Sequence, residues 1–152
     1  MPTIYETSAT ASHEGRAGSV RSDDGLLDVK LAVPKEMGGA GGATNPEQLF
    51  AAGYAACFTS AVLFCAREAK LKIGDPSVTV HAGLENAPDG KFQLFSSLDV
   101  ALPGAEKADA EAVVRAAHGM CPYSRATRGN VDVKVRLTRW KDSADTPALE
   151  LA

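Results

Sequence analysis

The sequence is poor in basic charge and in cysteine, and each shortage excludes a class of protein. The sequence contains 16 Lys and Arg and 19 Asp and Glu, which gives a net charge of −3 and a pI near 5.6. Without a basic patch interleaved with aromatics, the chain does not resemble an electrostatic nucleic-acid binder. Three cysteines (Cys57, Cys65 and Cys121) are too few for a structural zinc site unless histidines contribute. In the reducing cytoplasm, where we expect this protein to be, a stable disulfide is disfavoured, so any disulfide should be transient and part of the chemistry.

Targeting and phosphate-binding signals are also missing. Residues 1–15 have neither a basic start nor an apolar segment of the secretory kind, so we expect a cytoplasmic protein. The glycine-rich loop at residues 38–43 lacks the GxxxxGK[ST] motif, and the segment after it opens with Glu47, which argues against phosphate binding. One apolar run approaches the length of a membrane span, but it is rich in Ala and Gly and ends at Arg67 and Glu68. A buried helix is therefore favoured.

That apolar run is the element around which the rest is organised. Asn45 is a favourable N-cap, Pro46 suits the first helical position, and Gln48 stands where a capping-box partner would reach back. Residues 49–66 show no solvated face, which predicts a buried helix. Such a helix could reach about 24 residues and roughly 36 Å. Because one small domain covers this length poorly, we expect an intertwined homodimer.

The remaining segments predict β-hairpins around helices. Alternating apolar residues indicate strands near residues 4–11, 27–33, 77–84, 92–102 and 131–140, with turns at 22–25 and 88–90. Residues 106–120 predict an amphipathic helix. This order predicts an α+β fold in a single domain, residues 1–140, followed by an aperiodic C-terminal tail, residues 141–152.

Two cysteines lie in distinctive surroundings. A buried cysteine is usually a small hydrophobe, and Cys65 shows nothing beyond that. Cys57 ends the segment NPEQLFAAGYAAC, whereas Cys121 lies in HGMCPYSRATRGN. Residues 15–58, GRAGSVRSDDGLLDVKLAVPKEMGGAGGATNPEQLFAAGYAACF, and residues 118–135, HGMCPYSRATRGNVDVKV, resemble the organic hydroperoxide resistance proteins of the wider OsmC-like group.

This resemblance implies an OsmC-like fold and thiol-dependent reduction of organic hydroperoxides, with a dihydrolipoyl group as the favoured electron donor. It implies that Cys57 is the peroxidatic cysteine, Cys121 the resolving cysteine, and Arg16 and Glu47 the pair that supports the thiolate. No metal, flavin or haem is required. The family often shows a GGRDGR-like run where this chain has HEGRAG, so Arg16 is the better match and Arg21 the alternative.

The residue types suit these roles. A nearby guanidinium lowers the pKa of a thiol, and a carboxylate can hold that guanidinium through two parallel bonds. Glu47 and Cys57 are ten positions apart, about 15 Å along a straight helix and roughly 80° around it. Either the helix breaks near Gly53, or Glu47 approaches Cys57 of a second protomer. We therefore predict an active site built at a dimer interface.

Other interpretations remain open. Judged without the resemblance, Arg16 would be a solvated loop residue and Glu47 a carboxylate favoured by the helix N-terminus. A Cys–His hydrolase and an OsmC-branch peroxidase of different substrate range are alternatives. A non-enzymatic protein that binds apolar small molecules is another. The hydrolase would pair Cys57 with His81 or His118, and the binding protein would use Phe50, Tyr54, Phe58 and Phe64.

Overall fold

A computed structural model describes residues 1–144 and 146–152, and its longest element is helix α1, Pro46–Glu68. The N–H of Gln48 donates to Oδ1 of Asn45 at 2.9 Å, so Asn45 caps the helix as predicted. The Gln48 side chain differs from the expected capping box, because its Oε1 accepts from the Thr44 hydroxyl at 2.7 Å. The helix continues through Gly53, so of the two alternatives left open by the sequence, a break near Gly53 is excluded.

The chain divides into two units, residues 1–49 and 50–152. In the first, strands β1 (Ala9–Ala11), β2 (Ser19–Ser22) and β3 (Asp28–Lys30) form an antiparallel sheet in that order. The strands are shorter than predicted, and Ile4 and Tyr5 at the expected start of β1 are exposed. Apolar side chains that are not buried gain no packing energy from strand formation. The strand predicted over residues 4–11 is therefore too long at its N-terminal end.

The segment between β3 and α1 is tied back to the sheet of this unit. The N–H of Ala32 donates to the Thr44 carbonyl at 2.9 Å, next to a bridge between Leu31 and Thr44. The glycine-rich loop folds tightly against its own start, since a Cβ on Gly39 would lie 2.0 Å from the Val33 carbonyl oxygen. Only glycine permits that approach. These contacts determine where the first turn of α1 begins.

The second unit contains a four-stranded sheet in the order β4 (Ser77–Asn86), β5 (Phe92–Ala101), β6 (Val133–Arg139) and β7 (Leu149–Glu150). Strands β4 and β5 form the predicted hairpin, and β6 runs parallel to β5. Helices α2 (Lys107–Met120) and α3 (Pro122–Thr127) make the crossover that a parallel pair requires. The sequence predicted α2 but neither α3 nor β7, which pairs antiparallel with β6 inside the tail.

The core of this unit lies between one face of the sheet and the helices. Its largest fully buried side chains are Tyr54, Phe58, Val62, Leu98, Val100, Leu102, Val114, Val135 and Leu137. By length and composition α1 could span a membrane, but its Tyr54, Phe58 and Val62 pack into this core as in a core helix. The α+β fold class is thereby confirmed. That residues 1–140 form a single domain stays a prediction.

Helix α1 is buried along one stripe, whereas the sequence predicted burial on all sides. Leu63 and Phe64 are 44% and 43% exposed, respectively. They follow Val62, which is fully buried, so adjacent positions of the helix face the core and the outside. The single chain therefore leaves an apolar surface on its most apolar helix.

Candidate active site

Arg16 and Glu47, both in the first unit, form a two-point ion pair. Nη1 of Arg16 donates to Oε2 of Glu47 at 2.9 Å, and Nη2 donates to Oε1 at 2.7 Å. This fork-to-fork geometry orients both groups, and a carboxylate in the first turn of a helix is also favoured by the helix dipole. The hydrogen bond from Arg16 lowers the pKa of Glu47, and the same bond raises the pKa of Arg16. Both groups are therefore ionised at neutral pH.

The loop between β1 and β2 presents the Arg16 side chain. Arg16 lies in a short 3-10 turn, Gly15–Ala17, and the N–H of Ser12 donates to the Ser19 carbonyl at 2.9 Å to close the loop. A guanidinium has five N–H donors, and the bonds to Glu47 use two of them. The alternative arginine, Arg21, is 68% exposed and lies 3.8 Å from Asp28 on the neighbouring strand.

The second unit brings Cys57 and Cys121 together. Their Sγ atoms lie 3.5 Å apart, and both cysteines are free thiols. Cys57 lies in the middle of α1, while Cys121 is the residue at which α2 ends and α3 begins. A disulfide needs an S–S distance of about 2.05 Å, so the sulfurs must approach by roughly 1.5 Å. The two sulfurs are therefore close neighbours that are not bonded to each other.

The immediate surroundings of Cys57 disfavour its thiolate. Burial raises the pKa of the Cys57 thiol, the backbone N–H of Tyr123 lowers it, and Cys121 raises it further. Because a thiol that acts as a nucleophile at neutral pH needs the opposite shift, a positive charge must be supplied to this sulfur for the predicted chemistry.

Aromatic rings surround the thiols. Tyr54 packs against Phe50, Tyr123 and Phe58 with ring centroids 5.8, 5.7 and 6.4 Å apart, respectively. Tyr54 and Phe58 are completely buried. These rings form an apolar cluster that includes the two cysteines.

A polar network beside the thiols was not predicted from the sequence. Oη of Tyr54 lies 2.8 Å from Oγ of Ser124, which in turn lies 3.1 Å from Nδ1 of His118. Tyr54 precedes Cys57 by three residues, and Ser124 follows Cys121 by three. The first spacing was the available signal, since residues three apart on a helix share a face, whereas Cys121 precedes α3 and gives no such signal.

The other candidate groups have partners or surroundings other than the two thiols. His118 contacts Ser124, and Nε2 of His81 lies 3.2 Å from Oδ2 of Asp99. Cys65 is buried in the core, where burial raises the pKa of its thiol. Within residues 1–144 and 146–152, no three or more His, Cys, Asp or Glu side chains gather as a metal site.

The family described as OsmC-like protein matches residues 39–136. The organic hydroperoxide resistance protein of Xanthomonas axonopodis pv. citri (strain 306) is 49% identical over 136 residues, covering 88% of this chain and 94% of that protein. An organic hydroperoxide resistance protein from Vibrio cholerae O1 biovar eltor superposes with a TM-score of 0.86 at 48% identity, covering 98% of this chain and 97% of the other.

OhrB of Bacillus subtilis, also an organic hydroperoxide resistance protein, gives a TM-score of 0.81 at 43% identity, covering 89% of this chain and 99% of the other. The chain therefore belongs to the OsmC-like family, among its organic hydroperoxide resistance proteins.

Proposed function

We propose that the protein is a cysteine-based peroxidase that reduces organic hydroperoxides to alcohols. The observation that carries the proposal is the 3.5 Å separation of two free thiols, Cys57 and Cys121, in an apolar site. Similarity to organic hydroperoxide resistance proteins supports the substrate class.

The first step is attack by the Cys57 thiolate on one peroxide oxygen. The S–O bond forms as the O–O bond breaks, which leaves a sulfenic acid on Cys57 and an alkoxide that takes up a proton to leave as the alcohol. The surrounding rings of Phe50, Tyr54 and Tyr123 favour bulky organic hydroperoxides over hydrogen peroxide.

Arg16 supplies the positive charge that Cys57 needs, and Glu47 holds the guanidinium in place. Along the unbroken helix α1, ten residues correspond to about 15 Å, so Glu47 and Cys57 of one helix do not meet. We therefore place the Arg16–Glu47 pair of one subunit beside Cys57 of the other in a homodimer. The exposed Leu63 and Phe64 on α1 support the association of two chains.

The second step is resolution by Cys121. Its sulfur attacks the sulfenic sulfur, the S–O bond breaks, and the hydroxyl leaves with the Cys121 proton as water. A dithiol of the dihydrolipoyl type then reduces the Cys57–Cys121 disulfide by two exchange steps. Such dithiols belong to reducing compartments, which fits a cytoplasmic location.

The test is mass spectrometry after addition of one equivalent of cumene hydroperoxide. We expect a disulfide between Cys57 and Cys121 within one chain, in wild type and in Cys65→Ser alike. A bond to Cys65 would overturn the assignment. If wild type consumed no hydroperoxide and Cys57→Ser still bound apolar ligands, the non-enzymatic binding protein would replace the peroxidase.

A further inference from the structure

Two contacts, one helical turn apart, join α1 to the segment around Cys121. The first is the Cys57–Cys121 sulfur contact at 3.5 Å, and the second is the Tyr54–Ser124 hydrogen bond at 2.8 Å. Tyr54 and Cys57 are three positions apart on α1 and share a face of that helix, and Ser124 lies in the first turn of α3, which directly follows Cys121. The hydrogen bond therefore acts on the same pair of elements that must approach during disulfide formation.

We propose that Tyr54 and Ser124 are positioning residues that hold Cys121 against Cys57 for the resolving step. The proposal rests on the peroxidase function proposed above, and it concerns the second step rather than the attack on peroxide. Neither side chain is required to touch the substrate; each acts by fixing where the Cys121 sulfur lies.

The bend at Cys121 needs such an anchor. Cys121 has φ −54° and ψ 123°, outside the helical region, and α3 after it has only six residues. So short a helix is not stable by itself. The Ser124 hydroxyl contacts His118 on the last turn of α2 and Tyr54 on α1, so one side chain links all three helices around Cys121.

Burial keeps the groups of the network uncharged. Burial raises the pKa of Tyr54 and lowers the pKa of His118, so the phenol keeps its proton and the imidazole is neutral at pH 7. The hydrogen bonds that join Tyr54, Ser124 and His118 are therefore bonds between neutral groups. Tyr54 and Ser124 are both fully buried, so water does not replace a lost bond.

The positioning decides between two fates of the Cys57 sulfenic acid. Cys121 can displace the hydroxyl to form the disulfide and water, or a second hydroperoxide can oxidise the sulfenic acid to sulfinic acid and leave as its alcohol. If Cys121 spends less time beside Cys57, a larger fraction of the sulfenic acid is oxidised to sulfinic acid. Weaker positioning therefore increases irreversible inactivation per turnover.

The test compares Tyr54→Phe and Ser124→Ala with Ser60→Ala, which removes an exposed hydroxyl that bonds the Ala56 carbonyl on the same helix. Tyr54→Phe keeps the ring in the core. If Ser124→Ala folds poorly, the test therefore rests on Tyr54→Phe. The first readout is the equilibrium between reduced and disulfide forms in a glutathione buffer. This readout needs no peroxide, so it separates failure of positioning from failure of the peroxidase function.

For Tyr54→Phe we expect the disulfide equilibrium constant to fall by up to about fivefold, the limit set by the free energy of one neutral hydrogen bond, and Ser60→Ala to match wild type. The second readout is the ratio of Cys57 sulfinic acid to disulfide under graded cumene hydroperoxide, which we expect to rise in parallel. A merely structural role would lower thermal stability without changing this ratio. Values of both readouts in Tyr54→Phe equal to those of Ser60→Ala would overturn the proposal.

Discussion

Replacing Glu47 by Gln tests the ion pair that orients Arg16. Gln has nearly the same shape but no charge, and its amide oxygen accepts from only one arm of the guanidinium fork. The native pair has two short bonds of 2.9 and 2.7 Å, with the Glu47 side chain 14% exposed and the Arg16 side chain 39% exposed. The Glu47 side is shielded, whereas solvent weakens the Arg16 side.

Hydrogen bonds to charged groups contribute about 1.5–3 kcal/mol each, and solvent screening on the Arg16 side reduces the pair to about 1–2 kcal/mol in total. We expect the free energy of unfolding at pH 7 to fall by about that amount in Glu47→Gln. Urea unfolding followed by circular dichroism measures the loss. Glu36→Gln is the matched control, since it removes an exposed carboxylate of the same unit.

The pH dependence gives this prediction a sign. Arg16 lowers the pKa of Glu47 in the folded state, so the stabilisation is complete above the unfolded value of about 4.3 and is lost as the pH falls through the folded value. The difference between wild type and Glu47→Gln should therefore be constant from pH 6 to 8 and shrink below about pH 4. A loss equal to that of Glu36→Gln, or one that persists in acid, would refute the reasoning.

Three further predictions concern the reaction and the assembly. Cys121→Ser should still consume one equivalent of hydroperoxide but lose multiple turnover with dihydrolipoamide, because its sulfenic acid has no internal thiol partner; sustained turnover would contradict this. Arg16→Met should slow alkylation of Cys57 at pH 7 about tenfold, as expected when a neighbouring positive charge is removed, with Arg21→Met as control. Phe64→Lys should halve the mass measured by light scattering, whereas Glu68→Gln should not, because a charge on the exposed apolar face of α1 opposes association.

Much of the secondary structure follows from local sequence. Asn45 caps α1 because its side chain accepts the N–H of Gln48, an interaction within one turn of helix. Strands β5 and β6 alternate between buried and less buried residues. This alternation predicted both strands without knowledge of the strands with which they pair.

The elements missed by the sequence analysis lie where the local sequence permits more than one structure. Residues 106–120 were predicted as a helix with no second helix after it, yet proline suits the first position of a helix, and α3 begins at Pro122. Strand β7 has no periodicity of its own and exists through its pairing of Leu149 and Glu150 with β6. A break near Gly53 was one of two alternatives, and the structure excludes it because α1 is continuous from Pro46 to Glu68.

The sequence by itself determined the family, the long apolar helix and the identity of the candidate residues, because capping, periodicity and motif are properties of neighbouring positions. Tertiary structure alone decided that the sulfurs of Cys57 and Cys121 lie 3.5 Å apart and that Tyr54, Ser124 and His118 form a network beside them. Contacts between residues about 64 and 70 positions apart depend on how helices pack, and no local preference specifies that distance.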